Sequence, residues 1–444
     1  MWTAFTNRVR KAFTEAADQY DILTSLHKEI GRELVKKIVP YNQAMPVFDR
    51  EVEVCIAGAG PAGMVVGLLL ARQGIRVLVL ERHENFDREY RGEVLMPRFV
   101  QMMRQIGLFD FLLKYPHLTL DGFELYIRRR LAATIRVSEL AREAPFILWM
   151  PQTVMLNALH EKSKEFPNFE LWFNAAAEEP LLQGNRTIGL AALVNGKRIR
   201  VGAKVSVGAD GRASVLRRRG EFALVYEKHD FDIIWFTIPK PDGYDNTVRA
   251  FLSANHNYLI LPKYPNHVQC GLLIETGGYA RYLHEGIGSL KKELLEAHPM
   301  FRSFAEELTD FKPFNVLAAR ADRVKEWAKD GLILVGDAAH TCSPVGAVGV
   351  SVAVATAIVA ADVIGNCLRT GECSKEALGR VQTLREEEVV EIQRIQERFS
   401  GLILTQNPFL KRLSAVLLLF GVKAGLFRRI MRRLIVMRRP LPVR

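Results

Sequence analysis

Residues 51–82 read EVEVCIAGAGPAGMVVGLLLARQGIRVLVLER. An apolar run up to Ala57 has the texture of a buried strand. Gly58, Gly60 and Gly63 follow in the spacing G-x-G-x-x-G, an apolar helix comes next, and Val77–Leu80 form a second short strand that ends on Glu81. Each glycine has a separate task in such a turn. Gly58 permits the tight bend, Gly60 lets the backbone approach a pyrophosphate, and Gly63 lets the helix lie close to the strand. Free N–H groups and the dipole at the helix N-terminus favour an anion there. Glu81 stands where its carboxylate can accept a hydrogen bond from a ribose 2′-hydroxyl, with Arg82 beside it. The stretch predicts a doubly wound α/β dinucleotide-binding fold. It does not separate NAD from FAD.

Working outward, the 444 residues are 49% hydrophobic and 25% charged, a globular composition with room for more than one domain. The net charge is +12. Ten of the 61 basic residues, and no acidic ones, fall in residues 411–444, so the excess belongs to the tail. No nucleic-acid-binding module accompanies it, and nucleic acid is not an expected partner. The five cysteines (Cys55, Cys270, Cys342, Cys367, Cys373) have no metal or C-x-x-C spacing, which predicts reduced thiols, no metal site and a cytoplasmic setting. The N-terminus, MWTAFTNRVRKAF, has charges where a signal peptide needs an apolar run.

A second glycine-rich stretch, GDAAHTCSPVGAVG, occupies residues 336–349 after the strand-like GLILV. A long dinucleotide held only at its pyrophosphate leaves its other end free. Asp337 can accept from a ribityl hydroxyl there. Gly346 and Gly349 open a helix whose N–H groups can face the carbonyl edge of a flavin, where reduced flavin is negative. The two turns are expected to hold opposite ends of one FAD. The following uncharged stretch, Cys342–Ala361, has the length of a membrane span but is rich in Gly, Ala, Ser and Thr, which suits a buried core helix.

Three motifs carry a family resemblance over about residues 51–400: GAGPAG with Glu81, GADGRASVLR at 208–217, and GDAAHTCSPVGAVG. Together they resemble the p-hydroxybenzoate hydroxylase-like FAD-dependent flavoprotein monooxygenases, the single-component aromatic hydroxylases. The resemblance implies a Rossmann-like FAD-binding domain of the glutathione-reductase type interleaved with an antiparallel-sheet substrate domain. It implies FAD contacts from Gly58, Gly60, Gly63, Glu81, Arg82, Arg91 in YRGEVLMPR, Gln152 in MPQTVML, Asp210, Gly211, Asp337, Pro344, Gly346, Gly349 and Val350. It also implies NAD(P)H as a transient co-substrate, and oxygen transfer to a small aromatic or lipophilic molecule through a C4a-hydroperoxyflavin. Two positions depart from the family pattern: Ser351 replaces the usual asparagine, and Ala355–Thr356 stand where a downstream aspartate is expected.

The expected organisation is a helical extension over 1–50, an FAD-binding domain from 51–117, 146–228 and 315–400, a substrate domain from 118–145 and 229–314, and a basic amphipathic helical region over 401–444. In LFRRIMRRLIVMRR, Leu426, Phe427, Ile430, Met431, Leu434 and Ile435 share one helical face flanked by arginines. That pattern suits contact with an anionic membrane surface at the inner face of the membrane, and equally a helix packed on the body. No catalytic base is readable. His229, Asp230, Trp235, Tyr258 and His267 lie in the strands expected to roof the flavin, and His340 is expected to orient the turn. Competing readings are a geranylgeranyl-reductase-like flavoprotein, a flavin halogenase, half suggested by IIWFTIP at 233–239, and a non-enzymatic carrier on the same fold.

Overall fold

The computed structural model describes residues 47–87, 93–127, 130–253, 257–403, 420–421 and 425–442. Arg91 and the expected helical extension, up to residue 46, lie outside the described residues.

The apolar run before the first glycine turn forms the strand Arg50–Ala57. Its neighbours are Lys197–Gly208 on one side and Val77–Leu80 on the other, both parallel to it. Leu332–Leu334 and Phe169–Trp172 extend this parallel core at its two ends. Val77–Leu80 is buried at every position, as a strand covered on both faces must be. A hairpin, Ala175–Gln183 with Arg186–Val194, pairs onto the far part of Lys197–Gly208.

The helix Pro61–Arg72 starts with proline in its first turn, where the missing N–H costs nothing. It lies against the long apolar helix Gly349–Thr370. That second helix is long and apolar enough to cross a membrane, yet 78% of its apolar window is buried in the protein. It packs on Pro61–Arg72, on Pro97–Gln105 and on the long helix Lys375–Ile403. It is a core helix, and Gly371 in the left-handed conformation ends it.

The other large sheet has eight strands in the spatial order His340–Thr341, Asn315–Val324, Leu224–Pro239, His267–Ile274, Asn257–Lys263, Thr247–Leu252, Gly122–Ile127 and Arg130–Arg136. All its pairings are antiparallel except that between Thr247–Leu252 and Gly122–Ile127. Strands Leu224–Pro239 and Asn315–Val324 each belong wholly to this sheet, although the expected boundaries at 229 and 315 fall within or before them. Period-two alternation divides its apolar residues. Ile234, Phe236, Tyr258, Ile260, Cys270 and Leu272 face a cover of short helices between Tyr279 and Glu307. The opposite side faces the parallel-sheet body, with Phe231, Ile233, Leu317 and Ala319 forming a buried cluster against Val345.

The C-terminal helix Leu426–Ile435 docks on the body. Met431, Leu434 and Ile435 join the main core, and Phe399 and Phe427 have ring centroids 5.7 Å apart. Three of its arginine-rich neighbours are paired: Arg428 with Glu139 at 2.9 Å, and Arg433 and Arg438 with Glu391. Of the two expected roles for this face, packing on the body is the one the structure takes up, with Met431, Leu434 and Ile435 buried. The five cysteines are free and buried.

Candidate FAD site at the carboxyl ends of the parallel strands

Four adjacent parallel strands deliver the candidate residues to one edge of the sheet. Gly58 follows Ala57, Glu81 follows Leu80, Asp210 follows the strand ending at Gly208, and Asp337 follows the strand ending at Leu334. Backbone bonds tie the four ends together: Gly58 N–H donates to Leu80 O at 2.8 Å, Ala209 N–H to Ala57 O at 2.8 Å, and Val335 N–H to Gly208 O at 2.9 Å. The carboxyl end of an open α/β sheet is where such folds bind ligands.

The first glycine turn has the three predicted properties. Gly58 has φ +97°, and a Cβ there would stand 2.5 Å from Ala209 O. A Cβ on Gly63 would stand 1.9 Å from Gly58 O. At Gly60 a Cβ would meet nothing within 4 Å, so the backbone is open to approach at that position alone of the three. No side chain caps the helix that starts at Pro61, which leaves its first N–H groups for a ligand. Glu81 is 5% exposed. Its Oε2 accepts from Ala59 N–H at 3.0 Å and its Oε1 from His83 N–H at 3.1 Å. The carboxylate is therefore held in place, and each oxygen keeps a lone pair. Arg82 is exposed beside it. Gln152 is buried at the head of the helix Gln152–Ser163, which packs on Pro61–Arg72.

Asp210 behaves differently. Its Oδ1 accepts from Ser214 Oγ at 2.5 Å and its Oδ2 from Val215 N–H at 2.6 Å and Leu216 N–H at 3.2 Å. The side chain builds its own turn. Gly211, at φ +77°, faces open space. Asp210–Gly211 thus shapes the strand end that abuts Gly58.

At the second turn, Gly336 and Gly346 both have positive φ, at 58° and 77°. Pro344, Gly346, Gly349 and Val350 are half-buried, and no side chain caps the helix starting at Gly349. Arg212 Nε lies 3.2 Å from Asp337 Oδ2 and its Nη1 3.3 Å from Ala318 O, so one guanidinium links this turn to the second sheet. Desolvation raises the Asp337 carboxyl above the ordinary aspartate range, against the pull of Arg212. His340 is fully buried. Its Nε2 lies 2.8 Å from Thr356 Oγ1, whose hydroxyl donates to Val352 O at 3.2 Å. The ring therefore carries its proton on Nε2 and donates to Thr356. The threonine that replaces the expected aspartate region is the partner of the turn histidine. Burial, and then the Arg385 and Arg323 charges, drive His340 down to about 3, so it is neutral and orients the turn.

The residues fit an FAD. The first turn leaves an open glycine face before uncapped helix amides, and at the second turn Ser343 Oγ and Ser351 Oγ are buried without a protein partner. Arg98, Glu388 and Arg385 form a buried ionic group that sequence reading missed. Arg98 also donates to Leu434 O at 3.0 Å. Each of the three looks like an ordinary helix-surface charge in the sequence.

The roofing candidates separate by face. Trp235 and Leu259 pack toward the body. Tyr258 does not: it stacks on Phe251 at 4.6 Å under the covering helices. His229 pairs across the ladder with Arg320, on the face opposite Leu317 and Ala319, and its Nε2 lies 2.6 Å from Asp232 Oδ1. A bulge between His229 and Asp232 causes this turn-over. Asp230 sits 3.6 Å from Lys228, which bonds Glu397 of the long helix. His267 is at a strand end opposite Pro239.

A Rossmann-type sheet with two glycine turns at its carboxyl edge, roofed by an antiparallel sheet, defines the class: a flavoprotein of the aromatic-hydroxylase fold. Residues 51–389 match the family model described as "FAD binding domain". The chain is 30% identical over 364 residues to the 6-methylpretetramide 4-monooxygenase of Streptomyces rimosus, covering 81% of this chain and 86% of that one. It is 24% identical to the digeranylgeranylglycerophospholipid reductase of Methanocella arvoryzae, over 74% of this chain and 81% of the relative. Among solved structures, p-nitrophenol 4-monooxygenase PnpA from Pseudomonas putida DLL-E4 superposes with a TM-score of 0.70 at 19% identity, covering 88% of this chain and all of that one. The chain belongs to the FAD-binding-domain family of flavoprotein monooxygenases and is an FAD-dependent oxidoreductase.

Proposed function

We propose that the protein uses NAD(P)H and molecular oxygen to hydroxylate an aromatic or lipophilic small molecule. One oxygen atom enters the substrate in place of a ring hydrogen. The other leaves as water, with a hydride from NAD(P)H and a proton from solvent, two electrons and two protons in all, closing the balance. The observation that carries the reading is the approach of the second sheet to the second glycine turn: Val345 packs on Phe231, Ile233, Leu317 and Ala319, and Arg212 spans from Asp337 to Ala318. An apolar wall thus packs against the turn that would hold the flavin end of the cofactor.

In this reading the turn at Gly58, Gly60 and Gly63 holds the pyrophosphate, and Glu81 the ribose. Asp337 takes a ribityl hydroxyl. The amides from Gly349 onward, with Pro344, Gly346 and Val350, hold the flavin edge. Arg82, Arg91, Gln152, Asp210 and Gly211 complete the proposed set. Bound flavin supplies hydride acceptance and oxygen activation. This chain's own residues supply position, an uncapped helix N-terminus for developing negative charge, and exclusion of water. A prenyl-reductase reading draws on the shared FAD motifs, the apolar C-terminal segment and the 24% identical relative. The test is anaerobic reduction of the yellow holoprotein by NADH and by NADPH, followed by oxygen. The reading expects bleaching by at least one of them and oxygen uptake that rises when an accepted aromatic is present. Reduction that never turns over with oxygen in the presence of any aromatic would favour the reductase.

A further inference from the structure

The body-facing side of the second sheet has a composition that bears on the substrate. Across its central strands the register aligns Trp235 with Gly271, and Gly271 with Leu259. Leu259 in turn stands opposite Ala250, and Ala250 opposite Leu125. Leu273 lies one step along beside Ile233. These positions share a face because paired residues point the same way and alternate ones along a strand do so too. No Asp, Glu, Lys or Arg occupies this central row among the described residues. Charges flank it: Lys263 at a strand terminus, 3.4 Å from Thr237 Oγ1, Lys228 with Asp230 towards the start of Leu224–Pro239, and Arg212 of the body, which reaches Ala318 O and is paired with Asp337.

Exposure is uneven on the body side, where Phe231, Ile233 and Leu261 are buried. On the helix-covered side Ile234, Phe236, Cys270 and Leu272 are buried, whereas Trp235, Leu259 and Leu273 on the body side are only half-buried. Half-exposed large apolar groups on an inward-looking face are what remains when a cavity is built for an apolar occupant. Gly271 explains how the widest of them lies. A Cβ at this position would stand 2.6 Å from Trp235 Cζ3 and 2.9 Å from both Ile233 Cγ2 and Trp235 Cε3. The glycine in mid-strand leaves room for the indole to lie over the backbone on the body-facing side.

We propose that Trp235, seated on Gly271, is the specificity-determining platform of this enzyme, and that its substrate is a neutral, flat, fused-ring aromatic without a carboxylate. The assignment rests on the monooxygenase reading for the location of the pocket. A flat indole rewards stacking area, which grows with the number of fused rings. The row itself offers a carboxylate no cation, Arg212 beside it is already paired with Asp337, and burying a carboxylate unpaired is costly. A single-ring phenolic acid would lose on both counts.

The experiment measures equilibrium binding to the FAD-loaded protein by perturbation of the flavin spectrum. Three probes are compared: a neutral three-ring phenol, its carboxylated analogue and 4-hydroxybenzoate. Binding of the neutral three-ring probe at least ~10-fold tighter than either acid is expected. Trp235→Ala should weaken that probe about 10-fold or more while FAD content is retained, and Trp235→Phe should restore most of the affinity. Gly271→Val, which displaces the indole, should act as Trp235→Ala does. Equal or tighter binding of either acid, or a Trp235→Ala protein that retains FAD with unchanged affinity, would overturn the assignment. The hydroxylase reading fails separately. If the three-ring probe binds as expected but no oxygenated product forms, the platform stands and the chemistry proposed above does not.

Discussion

Gly63 shows how a single hydrogen atom in place of a methyl group holds the site together. Its missing Cβ leaves room for Gly58 O, which would otherwise be 1.9 Å away, and backbone cannot yield as a side chain can. Gly63→Ala should cost at least about 1–3 kcal/mol and yield protein purified with little or no flavin, whereas Gly60→Ala, facing open space, should fold normally and lose cofactor affinity alone. Melting curves with flavin-to-protein absorbance ratios separate the two. His340 makes a pH prediction. Its folded value of about 3 lies below the ordinary 6.5, so the unfolded chain binds more protons between these values and stability falls as pH is lowered through that window. The slope contributed is roughly 1.4 kcal/mol per pH unit. His340→Gln should flatten the acid limb of a melting-temperature profile. Both residues were readable in the sequence, but to different depths. The glycine spacing states its own geometry, whereas the partner of His340 is Thr356, sixteen residues on, and only the folded helix brings the two together.

At the level of elements, the C-terminal helix matters most. Leu434 is 1% exposed, and its side chain would lie 3.2 Å from a Cβ on Gly346, so this helix backs the second glycine turn. Leu434→Ala should cost about 2–5 kcal/mol and, by loosening that turn, lower FAD affinity as well. The same helix ends over Arg98, whose charge is matched by Glu388. Burial raises the Glu388 carboxyl, but Arg98 and Arg385 outweigh it and hold the group low. Glu388→Gln leaves two buried guanidiniums unmatched and should cost about 3–5 kcal/mol, read as a lower denaturation midpoint. The amphipathic pattern LFRRIMRR was legible as a helix with one apolar face. What that face meets was not, since periodicity reports that a face is apolar and says nothing of whether protein or lipid covers it. The uncharged run after Cys342 has the same ambiguity, and its burial among three helices resolves it as core.

For the whole molecule, the division into a parallel sheet and an antiparallel roof followed from strand texture and turn chemistry, because each sheet leaves a period of its own. Which face of the roof looks inward did not. A single bulge between His229 and Asp232 reverses the sidedness of part of a strand, and alternation cannot register that. Hence His229 lies on the face away from the body, while Trp235, further along the same strand, faces it; Tyr258, on a neighbouring strand, lies under the covering helices. The proposed reaction splits dioxygen between substrate and water. The most direct measurement is turnover under ¹⁸O₂ with NAD(P)H and a neutral fused-ring phenol, followed by mass spectrometry of the product. One labelled oxygen atom per product is expected, with one NAD(P)H consumed for each in the fully coupled limit. An unlabelled product, or one gaining hydrogen instead of oxygen, would contradict it.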